Sequence, residues 1–198
     1  MEDLNIKWFA AINAGANLQG YQLWFSIFAA KYLIYIVVLF FIGMWFWGPR
    51  HHRLTLLITF LAIFSALLTN WLISYIWFHS RPFMQGIGHT YLVHVPDSSF
   101  PSDHATGLFT MSFVFLLRRD MRGFGIIMLL LTSLVAWARI YVGIHFPFDM
   151  IGSLIVSSIF SVVLIKHAYF IERYLFPQII CAYQKLFSKP IKLKWINA

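Results

Sequence analysis

From Leu54 to Phe78 the chain runs without a single charged residue, and from Leu23 to Trp47 only Lys31 interrupts an equally apolar stretch. A bilayer core of roughly 30 Å is crossed by about 20 helical residues, so each run is long enough to span. Phe124 to Val142 qualifies if Arg139 sits at its end, and Phe146 to Ile165 qualifies with Asp149 near its start. Ala105 to Leu117 is apolar but short. Hydrophobic residues make up 60% and charged residues 11% of the 198, against roughly 45–50% and 25% in soluble domains. A soluble chain of this size has no means of hiding so much apolar surface. The composition excludes a cytosolic enzyme, a nucleic-acid binder and a disordered tail.

The expected fold is therefore an all-α integral membrane protein, a bundle of five transmembrane helices. A sixth is open if residues 4–14 span; these are short enough to read better as an interfacial helix or a re-entrant piece. Residues 1–168 form the membrane-embedded domain, and residues 169–198 a basic amphipathic cytoplasmic tail. Alternating five spans puts residues 48–53, 118–123 and 166–198 on one side. That side carries eleven Lys and Arg residues, and the other only Lys7, Arg81 and Arg139. The formal charge of +8 thus reads as topology, with the basic side cytoplasmic and the loop 79–103 outside. The single cysteine, Cys181, excludes an internal disulfide. Glu2 and Asp3 make the start acidic, so no cleaved leader is expected.

Ionisable residues concentrate at the outer ends of the helices, in His79–Phe83, Ser99–Ala105 and Ala138–Asp149. At membrane depth each costs roughly 2.5–3.5 kcal/mol, which makes them functional candidates. Arg81 and Arg139 offer planar forks that match phosphate oxygens. Ser102 can cap the third helix, whose first amides, beside Asp103, are free to receive an anion. Asp149, four residues after His145, can hold one imidazole nitrogen and leave the other to attack, with His104 available as an acid. The third helix, 16 residues or about 24 Å long, falls short of the bilayer core, so its N-terminus is expected below the membrane surface, where a lipid headgroup reaches it. His79, His89 and His94 read as loop residues. No HExxH or comparable metal-ligand spacing appears, so neither metal nor cofactor is expected.

These stretches resemble the type-2 phosphatidic acid phosphatase superfamily, whose pattern is K-x6-R-P, then P-S-G-H, then S-R-x5-H-x3-D. Arg81-Pro82 matches the end of the first element, Pro101-Ser102-Asp103-His104 the second, and Arg139, His145 and Asp149 the third. The chain departs from the pattern at three positions, with Ser74 for the lysine, Asp103 for the glycine and Ala138 for the serine. The missing lysine separates it from the simple monophosphate template. The surrounding text, SFPSDHA and YVGIHFPFDM, is similar to bacterial undecaprenyl-pyrophosphate phosphatases of the bacitracin-resistance type.

The resemblance implies His145 as nucleophile, Asp149 as its orienter and His104 as general acid, with Arg81, Ser102, Asp103 and Arg139 binding phosphate. Lys31, about 12 Å into the first span, is expected to turn inward as a substitute cation; the alternative is that it snorkels. The substrate implied is a polyprenyl pyrophosphate lipid, dephosphorylated on the outer face of the bacterial inner membrane, with no nucleic-acid partner. Two other readings stay open: a phosphatase of phosphatidylglycerophosphate, phosphatidate or lipid A, and a non-enzymatic anion carrier.

Overall fold

The computed structural model describes residues 2–197 and is all-helical over them. Helix α1 (Glu2–Ile12) is followed by a long helical run, Gly20–Trp47, made of α2 (Gly20–Ile27), a π-turn at Phe28–Tyr32 and α3 (Leu33–Trp47). Then come α4 (Arg50–Ile76), α5 (Asp103–Leu117), α6 (Arg122–Tyr141) and α7 (Pro147–Lys166). Among the described residues four helices are long and apolar enough to cross a membrane: Gly20–Trp47, Arg50–Ile76, Arg119–Tyr141 and Pro147–Lys166. The fifth expected span, α5, has 15 residues, about 22 Å of rise, and sits between α4, α6 and α7. The chain is a multi-pass membrane protein, and α4 turns Phe60, Phe64, Leu68 and Trp71 outward where acyl chains would meet them.

Buried apolar side chains such as Leu56, Leu108, Met111, Phe115 and Val135 fill the space around α5. Polar contacts then set its height. Ser153 Oγ donates to the Ser102 carbonyl at 2.9 Å, Ser157 Oγ to that of Thr106 at 2.9 Å, and Ser161 Oγ to that of Thr110 at 3.3 Å. Three small residues one turn apart on α7 thus match three carbonyls one turn apart on α5, which lets the backbones approach closely and fixes their register. Gly152, on the same helix, leaves room only for the ring of Phe100; a Cβ there would overlap it.

Residues 4–14 do not span: α1 has 11 residues and lies across the ends of α6 and α7. Phe9 stacks edge-on against Phe146 at 5.2 Å, and Asn5 Oδ1 accepts the Phe148 amide at 3.0 Å. Asn13 Nδ2 donates to the carbonyls of His89 and Tyr141 at 2.9 and 3.1 Å. At the opposite end, α8 (Ala168–Phe170), a π-turn (Ile171–Leu175), α9 (Phe176–Leu186) and α10 (Ser188–Lys192) fold back on the helix ends. Arg53, fully buried, donates to the Trp45 carbonyl at 2.9 Å and the Asn197 carbonyl at 2.8 Å, under the ring of Tyr183.

Candidate active site

The turn between α6 and α7 carries His145, and local chemistry dictates its pose. Pro147 opens α7, where a missing amide hydrogen is no loss. Asp149, two residues into that helix, folds its carboxylate back: Oδ2 accepts the Phe146 amide at 2.8 Å and the Ser99 hydroxyl. The same oxygen lies 3.0 Å from His145 Nδ1. A carboxylate pinned at the helix start thus holds the imidazole by its Nδ1 proton, and both side chains are excluded from solvent.

The other ring nitrogen faces two arginines. Nε2 lies 3.0 Å from Arg81 Nη1 and 3.3 Å from Arg139 Nη2. Arg81 is anchored through the Ile144 carbonyl (2.9 Å), the Ser98 carbonyl (3.2 Å) and Asp97 Oδ1 (2.7 Å). Arg139 donates through Nη1 to the Ala30 carbonyl at 2.9 Å, and its Nε has no partner among the described residues. Burial first, then the charges of Arg139 and Arg81, hold the His145 imidazole well below its ordinary range, so the ring is neutral.

A cavity of about 360 Å³ opens over this arrangement, lined by Arg81, His94, Asp103, His104, Arg139 and His145 among others. That is within the roughly 300–1,000 Å³ usual for small-ligand sites. His104 lies in the first turn of α5, and Asp103 accepts from Asn70 Nδ2 at 2.9 Å. Ser102 occupies the N-cap position but makes no capping bond; its hydroxyl is buried and unpartnered. The Thr106 amide is the first to pair within the helix, with the Ser102 carbonyl at 2.8 Å. The amides before it are therefore available to an anion.

Of the residues expected from the sequence, Arg81, Asp103, His104, Arg139 and His145 meet at the cavity, with Asp149 behind His145 and Ser102 beside the α5 amides. Lys31 does not join them. It is exposed, with Nζ over the Tyr32 ring at 5.3 Å. The π-turn turns Ala29 and Ala30 against α6 instead, which sends the next side chain off that face. The sequence reading missed Ser99, Asp97 and Asn70 and took His94 for a loop residue. Asn70 alone carried a usable signal, as a carboxamide inside an uncharged span. Among the described residues no group of three or more His, Cys, Asp or Glu side chains could hold a metal ion.

Comparison with known proteins follows the same line. A model of the PAP2 superfamily matches residues 54–173. The chain is 33% identical over 199 residues to YbjG of Escherichia coli (strain K12), covering 100% of this chain and 99% of that protein. It is 32% identical over 156 residues to the undecaprenyl-diphosphatase BcrC of Bacillus subtilis (strain 168), covering 79% and 80%. The crystal structure of Aquifex aeolicus LpxE shares the fold, with a TM-score of 0.64 at 22% identity over 82% of this chain and 95% of that one.

Proposed function

The chain belongs to the PAP2 superfamily, and we propose that it removes the terminal phosphate of undecaprenyl pyrophosphate through a phosphohistidine at His145. The observation that carries this reading is the pair of contacts on one ring: Asp149 on Nδ1 and two guanidinium groups converging on Nε2. The likeness to BcrC, an undecaprenyl-diphosphatase that four-fifths of this chain matches, supports the choice of substrate.

The terminal phosphoryl group enters between the arginines and Nε2. Its oxygens take over the Arg81 and Arg139 donors, together with the free amides of Asp103, His104 and Ala105 and the idle Ser102 hydroxyl. Nε2 then attacks phosphorus in line; the N–P bond forms as the bond to the bridging oxygen breaks, and lipid phosphate departs with that oxygen. Nδ1, already bonded to Asp149, stabilises the charge that develops on the ring. His104 donates a proton to the leaving oxygen and afterwards accepts one from the water that cleaves the N–P bond, releasing inorganic phosphate.

In this reading all five helices cross the bilayer, with α5 too short to reach both surfaces, so the cavity lies below the outer face of the inner membrane. Residues 1–168 act as the phosphatase domain, and 169–198 as a cytoplasmic tail. The test is phosphate release by purified protein from matched lipid mono- and pyrophosphates, with EDTA present. Preferential release from the polyprenyl pyrophosphate supports the reading; release only from phosphatidylglycerophosphate, phosphatidate or lipid A overturns the substrate, and no release from any lipid overturns the enzyme.

A further inference from the structure

His94 belongs to the loop that also brings Asp97 and Ser98 to the cavity wall. That loop is fastened at both ends, by the Tyr91 amide on the Val142 carbonyl at 3.0 Å and the Ser99 amide on the His79 carbonyl at 2.7 Å. Between them His94 lines the cavity, its ring edge-on to that of His145 with centroids 6.5 Å apart. Its Nδ1 lies 3.0 Å from the Val95 carbonyl and 3.7 Å from Asp97. A carbonyl only accepts, so Nδ1 carries a proton and Nε2 is left for a ligand. The side chain is mostly buried, at 22% exposure, although the residue before it, Val93, is 99% exposed. An imidazole drawn in from so exposed a loop, and fixed by one nitrogen, is placed rather than merely solvated.

In the proposed reaction the transferred phosphoryl group occupies Arg81, Arg139 and the α5 amides. Beyond the two arginines, the cavity is lined by His94, His104, Asp103, Ser74 and Trp71 among others. Among the described residues no further arginine or lysine lines it, and the Ser74 hydroxyl is turned to the Phe100 carbonyl. A second phosphate bound in the same cavity needs a further donor, and His94, lining it 6.5 Å from the His145 ring, is placed to be one.

We propose that His94 is a specificity-determining residue that binds the leaving phosphate of a pyrophosphate substrate through Nε2–H, and so favours pyrophosphates over monophosphates. This rests on the phosphatase reading above. Burial first, and then the arginine charges, hold free His94 below the ordinary imidazole range, with Val95 and Asp97 opposing. A multiply charged substrate adds to that opposition and favours the protonated ring, whose two donors then reach Val95 and the phosphate.

The test is calorimetric binding, in detergent, of methylenediphosphonate and methylphosphonate, which carry two phosphonates and one and whose P–C bonds are not hydrolysed by phosphoryl transfer. His94→Ala is expected to weaken methylenediphosphonate about tenfold or more, the range of a charge-assisted hydrogen bond. Methylphosphonate binding is expected to stay within about threefold, as for a substitution outside its contacts. His94→Gln, which keeps a donor, is expected to recover part of the loss and serves as the second variant should the alanine protein fail to fold. Equal loss for both ligands, or no loss for either, overturns the role of His94. Phosphate release by the unmutated protein is measured alongside; its absence overturns the phosphatase reading itself, which separates the two failures.

Discussion

Arg81 Nη1 lies 3.0 Å from Nε2 of His145, and a guanidinium has no lone pair to offer, so Nε2 is the unprotonated nitrogen of the ring. The nucleophilic atom and the phosphate donors therefore face one another before substrate arrives. Each arginine hydrogen that now ends on the ring becomes available to a phosphoryl oxygen once that group slides between them.

Arg139 holds its position through one nitrogen and addresses the ring through another. A lysine, with a single point charge, does not serve both. Arg139→Lys is expected to lower kcat/KM by about 10²–10³-fold, the range for loss of a preorganised donor. Steady-state kinetics on a detergent-solubilised polyprenyl pyrophosphate checks it, and an unchanged kcat/KM contradicts the placement of Arg139.

The acid limb of the pH profile follows from the direction of the His145 shift. A lowered value in the folded protein leaves the ring neutral at and below pH 6.5, where a free imidazole is already half protonated. Because kcat/KM reports the free enzyme, its fall with acid is expected below that pH, once the substrate's own titration, followed by phosphorus NMR, is divided out. A residual break at an ordinary imidazole value would count against a buried, neutral nucleophile.

Gly143, two residues before His145, has φ +82°, and a Cβ there would overlap the His89 carbonyl. Gly143→Ala is expected to cost more than about 1 kcal/mol. The change displaces either the loop bearing His94 or the turn bearing His145. A lower melting temperature in detergent together with reduced activity is the expected result; a protein unchanged in both denies that this close approach matters.

The apolar runs, the break between them and the pattern R-x5-H-x3-D were legible because each is local: length, charge and a spacing confined to residues 139–149. The partners that lock the site were not. Ser99 meets Asp149 across 50 positions, and Ser153, Ser157 and Ser161 meet α5 across 51 each. Serines at such spacing on an apolar helix signal close packing but not which helix they face. Lys31 misled for a related reason. Depth along a helix follows from counting residues, but the face a side chain takes depends on the phase, and the π-turn at Phe28–Tyr32 alters that phase.

Sidedness is tested with single cysteines in a Cys181→Ser background. Val93→Cys, on an exposed residue of the loop, is expected to react with an impermeant thiol reagent in intact spheroplasts. Ser188→Cys in the tail is expected to react only after lysis. The reverse pattern inverts the topology drawn from the eleven-to-three distribution of Lys and Arg.

The central claim is a covalent bond between His145 and phosphorus. The direct measurement uses polyprenyl pyrophosphate labelled with ³²P in its terminal phosphate, mixed with enzyme, quenched in alkali within the first turnovers and digested for mass spectrometry. The expected result is label on the peptide carrying His145, stable to alkali and lost in acid, and absent from His145→Ala, which also lacks turnover. Full activity in His145→Ala, or label reaching inorganic phosphate with none on the protein at any time, would contradict the account.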